Sequence, residues 1–256
     1  VQAKTWVLKW HFEGFPKDGD FELKVVELPE LRNGEVLLEA VFLSVDPYMR
    51  PFSRVRMQDG DVMIGTQVAK VIQSNNPAFP VGCHVVGRCG WRTHTVSDGS
   101  DITRVLADWP QDVSLSHALG AIGMPGDTSA KKQNFPIFKF EFWFQVGGHF
   151  SSVAIQQMKT FGRIAVCGGI SLYNDTTPQT GPYPHLTMIF KQLKMEGFLV
   201  GRWEHKNEES LKRMLTWMQE GKLKCREHVT VGFENMPAAF MGMLRGENIG
   251  KAIIKV

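Results

Sequence analysis

The sequence predicts an α/β protein made of two unlike parts, a β-rich part and a parallel sheet flanked by helices. Two observations carry this. Up to about residue 100, short segments alternate apolar and polar positions between Gly, Pro, Asn and Asp, which is the period of half-buried strands. From about residue 150, helix-spaced stretches alternate with short apolar runs that end in glycine, the pattern of a parallel sheet with covering helices.

Taken in order, FELKVVEL (Phe21–Leu28), EVLLEAVFLSV (Glu35–Val45), VMIGTQVAKVIQ (Val62–Gln73) and CHVVGRCGWRTHTV (Cys83–Val96) each show the two-residue period and are expected strands. Asn33-Gly34 and Ser74–Pro77 supply turn chemistry between them. SSVAIQQMKTFG reads as a helix feeding the buried strand RIAVCGG (Arg163–Gly169), and MEGFLVG (Met195–Gly201) reads as another buried strand. NEESLKRMLTWMQEG (Asn207–Gly221) places Leu211, Met214, Leu215 and Met218 on one helical face and stops at a glycine. In ENMPAAFMGMLRGENIGKAIIKV (Glu234–Val256), Asn235 is the expected cap of a short helix, followed by a glycine turn and a closing strand.

With 256 residues, 43% hydrophobic and 21% charged, the chain suffices for one large or two ordinary globular domains. Its formal charge of +3 is not gathered into any like-charge run, so neither a nucleic-acid partner nor a membrane surface is expected. Cys83, Cys89, Cys167 and Cys225 lack CxxC spacing, which argues against a zinc ribbon or a disulfide framework and for a reducing, cytoplasmic setting. No apolar run approaches the roughly 18 residues of a membrane span, and the charged VQAKTWVLKWHF has no signal-peptide core. Cys83 and His84 occupy adjacent strand positions that point to opposite faces, so a shared metal is not expected.

KTWVLKWHF, DFELK, NGEVLLEAVFLSVDPYMR, GTQVAKV, ALGAIGMPG, MKTFGRIAVCGGIS, FENMPAAFMGML and ENIGKAIIKV, taken together, resemble the zinc-independent medium-chain dehydrogenases/reductases. The resemblance covers Lys4–Gly126 and Gly147–Val256. It implies a GroES-like domain formed by residues 1–121 with 228–256, and a Rossmann-like parallel sheet, truncated here, in residues 122–227. It also implies NADPH as cofactor and reduction of the carbon–carbon double bond of α,β-unsaturated ketones or aldehydes. Eicosanoid or alkenal substrates, oxidation of the 12-hydroxyl of leukotriene B4 and a homodimer belong to the same expectation. Zinc-dependent relatives carry a His-Glu pair where this chain has Thr66-Gln67, so no metal is implied.

Hydride addition to an enone pushes charge onto the carbonyl oxygen, and a hydroxyl aimed at that oxygen stabilises the transition state selectively. Tyr173 is the catalytic candidate, because it follows a buried strand at the end of a parallel sheet where ligands bind. Tyr48 and Arg50 match the family's substrate-pocket motif DPYMR. Read from the residues alone, Tyr48 is more readily an interface tyrosine, a preference that the resemblance reverses, a surface ion pair is the alternative for Arg50, and Tyr183 lies in a proline-rich loop. By resemblance the nicotinamide end falls to Met124, Gly168, Tyr173, Phe198, Leu199, Val200, Asn248 and Gly250. Gly147 and Gly148 match a VGG segment of the family, with Gln145 where the family has asparagine.

The phosphate loop is missing. No GxGxxG or AAxGxxG occurs in the chain, and MPG is followed within about twenty residues by VGG, whereas a βαβαβ half takes roughly 70 residues. The expectation is an internal deletion of the N-terminal half of the cofactor domain. FKFEFWFQV (Phe138–Val146) then either lies at the uncovered sheet edge as an aggregation liability or replaces a core strand. Two functions remain open: an NADPH-dependent reductase, or a catalytically inactive form that serves as a binding or dimerisation module.

Overall fold

The architecture comes from a computed structural model that describes residues 1–126, 141–202 and 207–256, and of residues 141–144 and 207 the backbone alone. Most of the stretch between MPG and VGG, including Phe138 and the rest of 127–140, lies outside the described residues.

The strands in chain order are β1 (Gln2–Leu8), β2 (Phe21–Glu27), β3 (Val36–Ser44), β4 (Gln67–Ser74), β5 (His84–Gly87), β6 (His94–Ser97), β7 (Ile102–Arg104), β8 (Glu141–Phe144), β9 (Arg163–Val166), β10 (Lys194–Gly197), β11 (Glu227–Val231) and β12 (Lys251–Lys255). Helices α1 (Met49–Arg56), α2 (Gly148–Gln157), α3 (His185–Phe190), α4 (Asn207–Gln219) and α5 (Met236–Arg245) complete the framework. The α/β class read from the sequence is therefore the class observed.

A seven-stranded sheet runs in the order β11-β12-β3-β4-β5-β7, with β6 also beside β3. β1 and β2 form an antiparallel pair in which Leu8 faces Phe21. Two expected strands are shorter than their periodicity suggested. The run from Val62 becomes a strand only at Gln67, Val62 itself bridging to Val7. The run from Cys83 splits into β5 and β6, because Gly90 takes a φ of +72° and Met63 O would stand 2.9 Å from a Cβ there.

Aromatic packing joins distant segments into one core. Trp91 stacks on Phe21 with centroids 5.8 Å apart, and Phe240 of α5 meets both rings edge-on. Trp91 and Phe240 are fully buried, so α5 is held by the large area these rings remove from water. Asn235 precedes α5 but does not cap it; its side-chain amide donates to Val231 O at 2.8 Å. Gly246, left-handed at φ +77°, ends the helix. α4 buries Met214 and Leu215 against Val113 and Ile122, with Leu211 and Met218 half-buried on the same face.

The second sheet is parallel, in the order β10-β9-β8. α2 covers it, with Ile155, Met158 and Ile164 of β9 forming a small core. β10 ends at Gly197, so Phe198 to Gly201 continue past the strand rather than within it. Among the described residues β8 pairs with β9 alone and is an edge strand. No described helix is long and apolar enough to cross a membrane.

Candidate active site at the carboxyl ends of the parallel strands

Because β8, β9 and β10 run parallel, their carboxyl ends share one rim, where ligands of open α/β sheets bind. Three segments meet there: Gln145–Gly148, Cys167–Tyr173 and Phe198–Val200. Backbone bonds lock them together, Ile170 N–H to Gln145 O at 3.0 Å, Ser171 N–H to Val146 O at 2.9 Å and Phe198 N–H to Val166 O at 3.1 Å.

Tyr173 follows a 3-10 turn at Ile170–Leu172, which folds its ring back over the end of β9. Its hydroxyl oxygen accepts the Gly169 N–H at 3.1 Å. A Cβ on Gly168 would stand 3.2 Å from that oxygen, so a side chain there would crowd the phenol. The accepted bond uses a lone pair and leaves the hydroxyl proton to be donated. Gly168 and Tyr173, both named from the sequence, are thus brought together, and the Gly169 amide is a partner that sequence reading passed over.

On the β-rich side, Tyr48 stands at the start of α1 with its ring edge-on to Phe52 at 5.5 Å. Burial, then the negative charge of Asp46, pushes its phenol up to about 12, against a smaller opposing effect of the Thr66 hydrogen bond and the Arg88 charge. Tyr48 therefore stays a neutral donor at ordinary pH. Asp46, 3% exposed, is itself held: Ser44 donates to one carboxylate oxygen and Lys251 Nζ to the other at 2.9 Å. Lys251 also donates to Val45 O at 2.7 Å, fastening β12 to the chain that leads into Tyr48. Lys251 had no local signal, since its partners lie some two hundred positions away.

Arg50 departs from the expectation of a guanidinium offered to substrate. It is 5% exposed, donating from Nε to Asn174 Oδ1 at 3.0 Å and from Nη2 to Gly14 O at 2.7 Å and Phe12 O at 3.4 Å. Its charge lies over the Phe12 ring at 5.2 Å. Partners from residues 12, 14 and 174 could not be read from the local pattern around position 50.

The remaining candidates divide. Phe198 is buried at the rim, Leu199 is exposed beside it, and Met124 is partly exposed. Asn248 turns inward on its own loop, donating to Gly250 O at 2.6 Å. Gly250 is required by the backbone, because at φ +91° a Cβ would come 2.2 Å from Arg226 O. Tyr183 is 88% exposed and takes no part in the rim. Among the described residues, no three His, Cys, Asp or Glu side chains converge as metal ligands.

The rim can be tested against a dinucleotide. The Phe198–Val200 segment and Tyr173 would suit a flat aromatic ring with a conjugated carbon–carbon double bond to be reduced beside it. For a pyrophosphate, the described helix start in the right place is α2, which follows β8 through Gly147 (φ +81°) and Gly148 (φ +58°). The side-chain positions at that helix start are crowded. A Cβ on Gly147 would meet Leu172 Cδ1 at 2.8 Å, one on Gly148 would meet Ser171 Oγ at 3.0 Å, and Ser171 donates to Val146 O at 2.7 Å. The described residues therefore offer a segment and a phenol that would suit the nicotinamide end, while at the α2 start the side-chain directions of Gly147 and Gly148 are taken by Leu172 and Ser171.

Comparison with known proteins adds four findings. Residues 4–105 match the family described as the N-terminal domain of oxidoreductase. The chain is 43% identical to prostaglandin reductase 1 of Mus musculus over 329 residues, covering 100% of this chain and 99% of the relative. It is 29% identical to the NADPH-dependent curcumin reductase of Escherichia coli (strain K12), over 99% of this chain and 96% of the relative. Among solved structures, CurA from Vibrio vulnificus in complex with NADPH matches with a TM-score of 0.87 at 26% identity, over 99% of each chain. The fold is accordingly α/β with a GroES-like N-terminal domain, and close relatives are NADP-dependent oxidoreductases.

Proposed function

Because this chain belongs to the zinc-independent medium-chain dehydrogenase/reductase family, we propose that its site reduces the carbon–carbon double bond of α,β-unsaturated ketones and aldehydes. The substrate class we assign is 15-oxo-prostaglandins and alkenals, with oxidation of the 12-hydroxyl of leukotriene B4, in which hydride would pass from the carbinol carbon to NADP+ and the hydroxyl proton to solvent, as a second activity. The observation that carries this reading is Tyr173. Its hydroxyl sits at the rim of the parallel sheet with the oxygen fixed by the Gly169 amide and the proton available. NADPH, when bound, supplies the hydride. As the double bond is reduced, the Tyr173 proton faces the charge that builds on the carbonyl oxygen, and a donor aimed there stabilises the transition state more than the ground state. Tyr48, kept neutral by burial and Asp46, is the second donor we assign to the substrate carbonyl or tail.

A second reading is favoured by two specific observations. The alignment with the mouse relative runs over 329 residues against the 256 of this chain, a shortfall of 73, close to the roughly 70 residues of a βαβαβ half. The crowded helix start at α2 is the other. On this reading an internal segment between MPG and VGG is absent, the chain holds NADPH weakly, and it acts as a binding or dimerisation module. One experiment separates the two: purified, folded protein is mixed with NADPH and an enone, and both turnover and NADPH binding are followed. Turnover that Tyr173→Phe abolishes supports the reductase. Folded protein that neither binds NADPH nor turns over supports the module.

A further inference from the structure

We propose that Arg50 is a positioning residue that clamps the Tyr173 loop onto the β-rich part of the molecule, and that it is not the receptor for a substrate carboxylate. The clamp has three jaws. Arg50 Nε holds Asn174, the residue next to Tyr173, while Nη2 holds the carbonyls of Phe12 and Gly14. Gly14 suits its place through its left-handed φ of +69°, and it packs beside Thr176 and the Asn174 carbonyl, which a Cβ there would meet at ordinary contact distances of 3.7 and 3.9 Å. The held amide belongs to the residue that directly follows Tyr173, whose phenol oxygen is fixed by the Gly169 amide. A shift at Asn174 therefore reaches the hydroxyl directly.

The surroundings argue against an anion on Arg50. A cleft of about 550 Å³ beside it is lined by His11, Glu13, Arg54, Asp175 and Thr176 as well as Arg50. Its carboxylates Glu13 and Asp175 balance the cations Arg50 and Arg54, so the cleft offers an entering carboxylate no excess of positive charge, and the Nε and Nη2 donors of Arg50 are already directed at protein oxygens. The same geometry makes sense as a clamp, because a planar fork fixes several acceptors at once where a lysine fixes one.

The test reads the clamp without activity. Hydrogen exchange of the Gly169 amide, which Tyr173 protects, is compared in the wild type, Arg50→Lys, Asn174→Ala and the double variant. Each single substitution should raise that exchange about 10-fold, and the double no further than the larger single, because both remove one interaction. Asn174→Asp, which keeps an acceptor for Nε, should preserve protection. Unchanged exchange in both single variants overturns the proposal, and Asn174→Ala decides it should Arg50→Lys fail to fold. A kinetic arm rests on the reductase reading. A positioning role lowers kcat equally for a carboxylate-bearing enone and a neutral alkenal, whereas a rise in KM confined to the carboxylate substrate overturns it. Failure of the wild type to turn over sinks the reductase reading and leaves the exchange result standing.

Discussion

Tyr173 and Tyr48 carry the same phenol in different settings, and each setting makes a separate prediction. Tyr173 is fixed from one side by a backbone amide, so at saturating NADPH Tyr173→Phe should lower kcat on the order of 10²-fold with little change in cofactor affinity, as loss of one oxyanion donor does. Steady-state kinetics with an enone checks it, and unchanged turnover assigns the donor elsewhere. Tyr48 makes its prediction through stability. Its folded-state value of about 12 lies above the value of 10.0 for an exposed phenol, so the native chain holds a proton that the unfolded chain has lost between those values. Stability contributed by Tyr48 is present below pH 10 and falls as pH rises toward 12, by about 1.4 kcal/mol per pH unit at most. Urea denaturation across that range should show a shallower decline in Tyr48→Phe, while the buried Cys89, raised to about 12 as well, keeps its own share in both proteins. At this scale the sequence showed where a residue stands along its element better than what its side chain touches. Tyr173 was legible because it follows an apolar strand ending in glycines. The burial of Arg50 was not, because its acceptors come from two separate segments, at residues 12–14 and at 174, that only the fold assembles.

Among the elements, the two-residue period located β2, β3 and β4, and helical spacing located α4 with the four side chains that pack inward. It failed where backbone geometry overrides side-chain pattern, at Gly90, whose left-handed turn cuts one apparent strand into two. β7 has three residues, too few for any period to register, whereas β1 does alternate, with Gln2 and Lys4 outward and Ala3 and Thr5 inward. Element junctions are where single changes should cost most. Gly250 leads into β12, and Gly250→Ala should destabilise by about 2 kcal/mol or more, since it adds a strained φ to a contact of 2.2 Å with Arg226 O. Leu215→Ala on α4 should cost about 2–5 kcal/mol through the cavity it leaves beside Val113 and Ile122. Denaturant midpoints measured at constant m-value test both, and a loss under 0.5 kcal/mol at Gly250 would mean that the Arg226 carbonyl yields easily.

For the whole molecule, the decisive quantity is how tightly it holds NADPH. Charge-assisted bonds to phosphates contribute roughly 1.5–3 kcal/mol each, and micromolar affinity represents about 8 kcal/mol, so absence of three or four such bonds should weaken binding to millimolar. Titration calorimetry on the folded chain tests this, and a low-micromolar constant would overturn the reading of a missing phosphate half. The family and the α/β class were legible from sequence because they rest on many short segments spread along the chain. The α2 start crowded by Leu172 and Ser171 was not, since it depends on how a turn 25 residues further on folds back. The seven-stranded sheet has its own demand on time. β12 sits between β3 and β11, and the Lys251 to Asp46 contact spans 205 positions. At about 5–20 residues per second, a ribosome finishes β12 roughly 10–40 seconds after β3 has emerged. Through that interval β4 and β6 already flank β3, β6 along Val36–Glu39, and only the Phe42–Ser44 end that β12 will pair with stands as a short open edge, free to pair elsewhere.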